Sequence, residues 1–289
     1  DFDVLLVASN ETSPEVRDWL GGLQGLGSDQ LRVCQTDATG RAQSLNEASR
    51  QARGEYLLLL DATCVLFDGQ WLQELMHLGQ RPEVGMVGPK LFDNNGSVLS
   101  AGLVMGMNGT AGTPFLSCAV NSDGYMNRLS LVQNWSALGL DCLLVRAALF
   151  AELGGLDTAA FEVSLFDADF CLRAREAGYL SVWTPFSRVA QVPVPALDQP
   201  ALQSLLADQE RLYERWLAWV AFDPAYNRNL SLKLPNFNFE PGLRGGWDPL
   251  IARAMPSVMG LPSSTSAIGH YRVSQPFAEL EKAGWIQGR

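Results

Sequence analysis

The sequence contains little histidine and few basic residues. Only two histidines, His77 and His270, occur among 289 residues. Histidine-based catalysis or a poly-histidine metal site therefore has almost nothing to draw on. Lysine and arginine total 21 against 31 acidic residues, which gives a net charge of −10. Because binding to nucleic acid or to an anionic membrane needs clustered basic side chains, this composition argues against both classes of partner.

The chain also lacks long apolar runs and paired cysteines. No run approaches the roughly 20 residues of a spanning helix, and no signal peptide begins the sequence. Its five cysteines are odd in number and widely spaced, which favours buried free thiols over disulfides or zinc. These features predict a cytoplasmic protein, at most peripheral at the inner face of a membrane. The hydrophobic content of 47% is enough for one large or two small domains.

A short run of leucines is the strongest local signal in the sequence. Leu57 to Leu60 lie between Gly54 and Asp61 and are apolar on both faces. Such a run predicts a central strand of a parallel sheet that helices cover on both sides. Asp61 then lies at the carboxyl end of this strand, where open α/β sheets bind their ligands.

Strand and helix patterns alternate along most of the chain. Strands are predicted over 3–8, 31–36, 57–60, 84–87, 90–92, 97–105, 142–145 and 181–183. Helices are predicted over 14–26, 41–53, 70–79, 147–153, 167–177 and 199–221. Asn95-Gly96 predicts a hairpin turn, and the Gly-, Asn- and Ser-rich segment 106–137 predicts a long loop. The pattern predicts an α/β fold. Its sheet is parallel and doubly wound in the N-terminal part of the chain and mixed from about residue 84 onward, and a C-terminal helical extension follows.

Several motifs occur in a fixed order across residues 1–235. They are Ala52 to Thr63, Gly88-Pro89-Lys90-Leu91, Asp141 to Arg146, Gly154 to Asp157, Asp167 to Arg173 and Asp223 to Ser231. This series resembles family 2 glycosyltransferases of the GT-A fold. The last motif resembles the tail of a rhamnosyltransferase-like subset that makes bacterial surface polysaccharides. The resemblance implies a Rossmann-like mixed sheet flanked by helices.

The resemblance also implies an activity and a set of site residues. The activity is inverting transfer of a sugar from a nucleotide-sugar donor to a growing cell-surface glycan, with an acceptor that can be lipid-linked. Asp167 matches the catalytic base. The residues that match the donor or nucleotide site are Ala8, Ser9, Asn46, Asp61 and Thr63. Asp141 and Asp169 match the acceptor side, and Asp61 matches a ligand of Mn²⁺ or Mg²⁺, here a weakly held ion.

Three of these aspartates also have an ordinary structural interpretation. Asp167 is equally typical of a helix N-cap. Asp169 and Arg173 are four residues apart, which favours an ion pair on one helix face. Asp61 is as typical of a strand-end turn as of a ligand site.

The sequence departs from the family pattern at three places on the expected ligand surface. Thr63 stands where a metal-binding acid is expected, and Ala8 or Ser9 where a nucleoside-reading Asp is expected. Gln191 stands near the position of a usual histidine, and Val192 to Pro195 replace a Ser- and Arg-rich loop. These departures favour an alternative function, a catalytically degenerate module that binds glycan or scaffolds a partner transferase.

The predicted domains are a GT-A-like domain over 1–195, a helical extension over 196–234, and a linker with the start of a further domain over 235–289. The last segment, from Gly269 to Gly284, resembles the opening of a family 4 (GT-B) glycosyltransferase and predicts a helix near 275–283. We therefore expect the chain to be joined to, or associated with, further glycosyltransferase domains. Because the family has a strand and helix before the one matched by 3–8, we also expect the chain to begin inside the domain.

Overall fold

The computed structural model of the chain describes residues 2–9, 12–25, 27–192, 199–235, 237–239, 257–262 and 266–288. The chain divides into two compact units, Asp1–Leu243 and Arg244–Arg289. The predicted boundary at Pro195 and much of the predicted linker lie outside the described residues.

The elements of the first unit follow the predicted order closely. The strands are β1 (Val4–Ala8), β2 (Leu31–Gln35), β3 (Tyr56–Leu60), β4 (Cys64–Val65), β5 (Val84–Phe92), β6 (Val98–Ser100), β7 (Val104–Met105), β8 (Ala111–Gly112), β9 (Gln133–Trp135), β10 (Cys142–Arg146) and β11 (Leu180–Gln191). The helices are α1 (Pro14–Gln24), α2 (Arg41–Ser49), α3 (Trp71–Gly79), α4 (Ala147–Glu152), α5 (Phe166–Glu176) and α6 (Gln199–Ala221).

The main sheet is mixed, as predicted. Its strands lie in the order β3-β10-β5-β11-β4, with β6 paired to β5 and β9 paired to β11. The β5–β11 pair is parallel, whereas β10 runs antiparallel to both β3 and β5. The strands β1 and β2 form a separate parallel pair. The predicted hairpin is confirmed, because β5 and β6 are antiparallel around a turn in which Gly96 adopts a φ of 76°.

The prediction that Leu57–Leu60 form a central strand of a parallel sheet is wrong. Strand β3 lies at the end of the described strand order and pairs only with β10, in antiparallel register. Leu57 and Leu59 are buried, but Leu60 is 39% exposed. An apolar run indicates that the faces of a strand are largely buried, but it does not specify the direction of the neighbouring strand.

The segment 106–137 is a packed part of the core, although its sequence predicts a long loop. It contains the short strands β8 and β9, and Met107, Phe115 and Leu129 are each at most 1% exposed. Trp135 is fully buried and lies against Gly102, where an added Cβ would come within 2.1 Å of the indole. The buried residues of this segment have neither helical nor strand spacing, which is why periodicity does not detect them.

The two faces of the main sheet carry separate hydrophobic clusters. Along β10, Leu143 and Val145 belong to one cluster, and Cys142 and Leu144 belong to the other. This alternation is the period of a strand that is covered on both faces. Helix α3 packs in the second cluster, while buried side chains of α5 and α6 join the first.

The predicted start of α1 is confirmed. Helix α1 begins with Ser13 as N-cap and Pro14 in its first turn, and the Ser13 hydroxyl accepts a hydrogen bond from the Val16 N–H at 3.4 Å. All five cysteines are free thiols. No helix in the described part of the chain combines the length and apolar character that a membrane-spanning helix needs.

The second unit is described over 257–262 and 266–288. Strands β12 (Ser257–Val258) and β13 (Gln287–Gly288) pair in parallel. Between them, α7 (Ala267–Gly269) continues through a π-helical turn, His270–Ser274, into α8 (Gln275–Lys282). The helix predicted near 275–283 is therefore confirmed.

Candidate functional site

The pairing of β3 with β10 brings two aspartates to one edge of the main sheet. Leu60, the last residue of β3, lies opposite Cys142, the first residue of β10. Asp61 and Asp141 are the next residues outward, and the Asp61 N–H donates to the Asp141 carbonyl at 2.8 Å. Because the strands are antiparallel, the end of one and the start of the other necessarily meet there.

A chain of hydrogen bonds links Asp61, Thr63 and Gln191 at this edge. The Asp61 carboxylate accepts from the Thr63 hydroxyl at 2.6 Å and from the Thr63 N–H at 2.9 Å. The Gln191 amide, at the end of β11, donates to the Thr63 hydroxyl at 3.2 Å. Burial alone would raise the pKa of the Asp61 carboxyl, but the two bonds from Thr63 and the charge of Arg41 outweigh it and lower the pKa.

The Arg41 side chain bridges the two aspartates. Its guanidinium lies 2.6 Å from the Asp141 carboxylate and 3.1 Å from the Asp61 carboxylate. Arg41 is the first residue of α2, which follows Gly40 with a φ of 94°, a backbone conformation that favours glycine. The geometry of this helix start thus directs a cation onto the edge where β3 and β10 meet.

Asp167 shares a cleft of about 290 Å³ with Arg41 and Asp141. It lies in the first turn of α5, and its carboxylate accepts from the Ala168 N–H at 2.8 Å. The N-cap position belongs to Leu165, so the N-cap interpretation of Asp167 is wrong. Burial raises the pKa of the Asp167 carboxyl above its usual value, and the Ala168 bond and Arg41 only partly oppose this rise. A partly buried carboxyl of raised pKa in a cleft is suited to accept a proton.

The cleft wall that precedes Asp167 is held by a carboxylate from α6. Asp208 has no exposed surface, and it accepts hydrogen bonds from the N–H groups of Glu162, Val163 and Ser164 at 2.8–3.2 Å. Val163 and Ser164 line the cleft. Helix α6, which the spacing of its apolar residues predicts correctly, therefore holds the cleft wall beside Asp167.

We expect Asp208→Ala to loosen this wall, because three partly buried N–H groups would lose their charged acceptor at a cost of roughly 2 kcal/mol. Amide hydrogen exchange at 162–164 should accelerate, and the free energy of unfolding in urea should fall. Glu210→Ala, at an exposed position of the same helix, is the matched control and should change neither. Unchanged protection at 162–164 in Asp208→Ala would show that the carboxylate does not hold the wall.

Asp169 is buried away from the cleft. It has no exposed surface, and its carboxylate accepts from Arg173 at 2.8 Å and from the Trp216 indole N–H at 2.8 Å, with Arg215 at 3.2 Å. The predicted helix-face pair with Arg173 is confirmed. In this arrangement Asp169 offers no surface to an acceptor, unlike the role that the resemblance implies.

The other predicted donor-site residues lie outside the Asp61–Arg41–Asp141 cluster. Ala8 is buried at the end of β1, and Ser9 follows it. The Asn46 side chain joins α2 to Leu156, donating to its carbonyl at 2.7 Å and accepting from its N–H at 2.9 Å. Both ends of the Asn46 amide are thus engaged in a backbone contact.

The residues near Asp61 do not fit a tightly held divalent cation. Such ions prefer several carboxylate oxygens, whereas the oxygens of Asp61 already face Thr63 and Arg41. Burial raises the pKa of the adjacent Cys64 to about 11, which keeps it a neutral thiol. Across the described residues, no group of three or more His, Cys, Asp or Glu side chains is arranged to hold a metal.

Arg41 is the functional residue that the sequence interpretation missed. The sequence did contain a signal for Arg41, because a cation at a helix N-terminus interacts unfavourably with the helix dipole and is stabilised by an acidic partner. The position directly after Gly40 could therefore have indicated a contact with acidic residues. Which acids would meet it depended on the β3–β10 pairing, which local pattern does not specify.

Comparison with a family model gives a match over most of the first unit. Residues 1–216 match the model described as Glycosyltransferase like family 2. This range contains every residue of the cleft and of the Asp61–Arg41–Asp141 cluster described above.

Two curated relatives are each 33% identical to the chain. One is the uncharacterized protein y4gI of Sinorhizobium fredii, matched over 243 residues, which are 82% of this chain and 26% of the relative. The other is the O-antigen biosynthesis protein RfbC of Myxococcus xanthus, matched over 239 residues, 80% of this chain and 18% of the relative. The chain thus spans about a quarter or less of the length of either relative.

A solved structure shares the fold. The crystal structure of GalNAc-T7 with UDP, GalNAc and Mn²⁺ superposes with a TM-score of 0.56 at 16% identity, covering 74% of this chain and 42% of that one. At this identity the likeness concerns the fold alone, which is of the GT-A type.

Proposed function

The chain belongs to the glycosyltransferase like family 2, and from that membership we propose that it transfers a sugar from a nucleotide-sugar donor to an acceptor hydroxyl with inversion at the anomeric carbon. The observation that carries this proposal is the cleft in which Asp167 lies with Arg41 and Asp141. The raised pKa of Asp167 supports its role as the base.

In the proposed reaction the acceptor hydroxyl oxygen attacks the anomeric carbon on the face opposite the nucleoside diphosphate. The new carbon–oxygen bond forms as the bond to the diphosphate oxygen breaks. The hydroxyl proton passes to the Asp167 carboxylate, and the diphosphate leaves with the electron pair of the broken bond. Attack from the opposite face inverts the configuration. Holding base and sugar in one cleft supplies the proximity that the step needs.

We propose a bacterial cell-surface glycan as the acceptor, because one relative is named for O-antigen biosynthesis. Both relatives are several times longer than this chain, which supports action beside further glycosyltransferase domains. The acceptor can be lipid-linked, with the chain working in the cytoplasm at the inner face of the membrane.

The test is release of nucleoside diphosphate from a panel of UDP-, GDP- and dTDP-sugars in the presence of a lipid-linked glycan fraction. The wild-type chain should release one of these diphosphates and Asp167→Asn should not. The product should have the opposite anomeric configuration to the donor by NMR. A retained configuration would contradict the inverting route.

The second candidate is a catalytically silent module that binds glycan or scaffolds a partner transferase. Thr63 and Gln191 favour it, because they bond to each other where the resemblance expects an acid and a histidine. Wild-type chain that releases no more diphosphate than Asp167→Asn in this assay, yet binds the same glycan fraction in a pull-down, would identify this function.

A further inference from the structure

The cluster at the β3–β10 edge has a cation of its own, supplied by the chain. Arg41 lies between Asp61 and Asp141, and the three side chains are only 22–38% exposed. We infer that the Arg41 guanidinium takes the place of a divalent metal here, faces the leaving diphosphate, and makes donor binding independent of Mn²⁺. The diphosphate role rests on the proposed function.

Arg41 reduces the repulsion between two neighbouring carboxylates. The backbone bond between Asp61 and Asp141 fixes the two residues side by side, and like charges at such a distance are unfavourable in a partly buried site. At the same time, the start of α2 is an unfavourable place for a cation. The two carboxylates offset that cost, which explains why the guanidinium is held at this edge.

The contacts of Asp61 also explain why a metal would compete poorly. Thr63 donates both its N–H and its hydroxyl to one Asp61 oxygen, and the Gln191 amide orients that hydroxyl. The other oxygen faces Arg41. A divalent ion would have to displace the guanidinium from both carboxylates, and at position 63 it would meet a neutral hydroxyl in place of a further carboxylate.

The guanidinium can serve a diphosphate while it keeps both carboxylates. It carries five N–H groups in a planar fork, a geometry that matches phosphate oxygens. Its side chain is 38% exposed and lines the cleft that holds Asp167. A fixed cation that faces the departing oxygen stabilises the charge that develops there during transfer.

The experiment is isothermal titration of the full chain with Mn²⁺ alone and, separately, with UDP, GDP and dTDP, each in EDTA and in Mn²⁺. Wild-type chain should bind Mn²⁺ weakly and should bind one diphosphate in EDTA. Arg41→Met should lose about tenfold or more in diphosphate affinity, the size of a charge-assisted contact. It should also gain Mn²⁺ affinity, because the carboxylates lose their resident cation, and Arg41→Met with Thr63→Asp should gain more.

Arg50→Met, exposed at the end of the same helix, is the matched control and should behave as wild type in both titrations. Unchanged Mn²⁺ affinity in Arg41→Met would overturn the inference, as would diphosphate binding by wild type only with Mn²⁺. If no diphosphate binds under any condition while Arg41→Met still gains Mn²⁺ affinity, the proposed function and the diphosphate role fail together. Only the competition between the Arg41 guanidinium and Mn²⁺ for the two carboxylates would then remain supported.

Discussion

Asp167→Asn should lower the rate of sugar transfer by about 10²–10⁴-fold, the contribution typical of a general base. The substitution keeps the size of the side chain and removes its charge, and with it the capacity to take the acceptor proton. Because burial raises the pKa of Asp167, transfer by the wild-type chain should also fall as the pH drops through that raised pKa. The initial rate of diphosphate release measured against pH tests both points.

The same substitution should leave the melting temperature at neutral pH unchanged or slightly higher. A carboxyl whose pKa is raised in the folded state favours the fold only while it is protonated, so its ionisation costs stability once the pH exceeds that pKa. Asparagine removes this cost. A large loss of stability with transfer retained would instead show that Asp167 is a structural residue of α5.

Asp169→Asn, two residues further along the same helix, should instead destabilise the fold. The variant should lose about 3–5 kcal/mol in the free energy of unfolding, because it breaks a buried ion pair and leaves a charged partner uncompensated. The partner is Arg173, and the Trp216 indole also depends on this carboxylate. Urea denaturation of Asp169→Asn beside Asp167→Asn, the matched control, measures the difference.

Asp169→Asn with normal stability and no transfer would contradict this account. That outcome would restore the acceptor-side role that the family resemblance implies for Asp169. The two variants together thus separate a residue that acts at the cleft from one that holds the helix in place.

Much of the fold could be predicted from sequence because local chemistry determines it. Ser13 and Pro14 mark the start of α1, Gly96 marks the β5–β6 turn, and three- and four-residue apolar spacing marks α6. The segment 106–137 escaped prediction because its buried side chains contact distant elements without regular spacing. The antiparallel pairing of β3 could not be predicted, because strand pairing depends on tertiary contacts and not on local sequence.

The candidate site could be predicted only in part for the same reason. Motifs identify Asp61, Asp141 and Asp167, and these lie around Arg41 in the structure. Neither the bridge made by Arg41 nor the contact between Thr63 and Gln191 follows from spacing, since each joins residues far apart in the chain. The departures at Thr63 and Gln191 are one connected feature, visible only once β11 returns beside β4.

The central claim is that this site binds a nucleoside diphosphate with a cation from its own chain. The most direct test is the melting temperature of the wild-type chain with UDP, GDP or dTDP, in EDTA and in Mn²⁺. Ligand at a hundredfold excess over its dissociation constant stabilises the folded state by about 2.7 kcal/mol. We predict that one of these diphosphates raises the melting temperature in EDTA by nearly as much as it does in Mn²⁺. A rise only with Mn²⁺, or no rise with any of the three, would contradict the account.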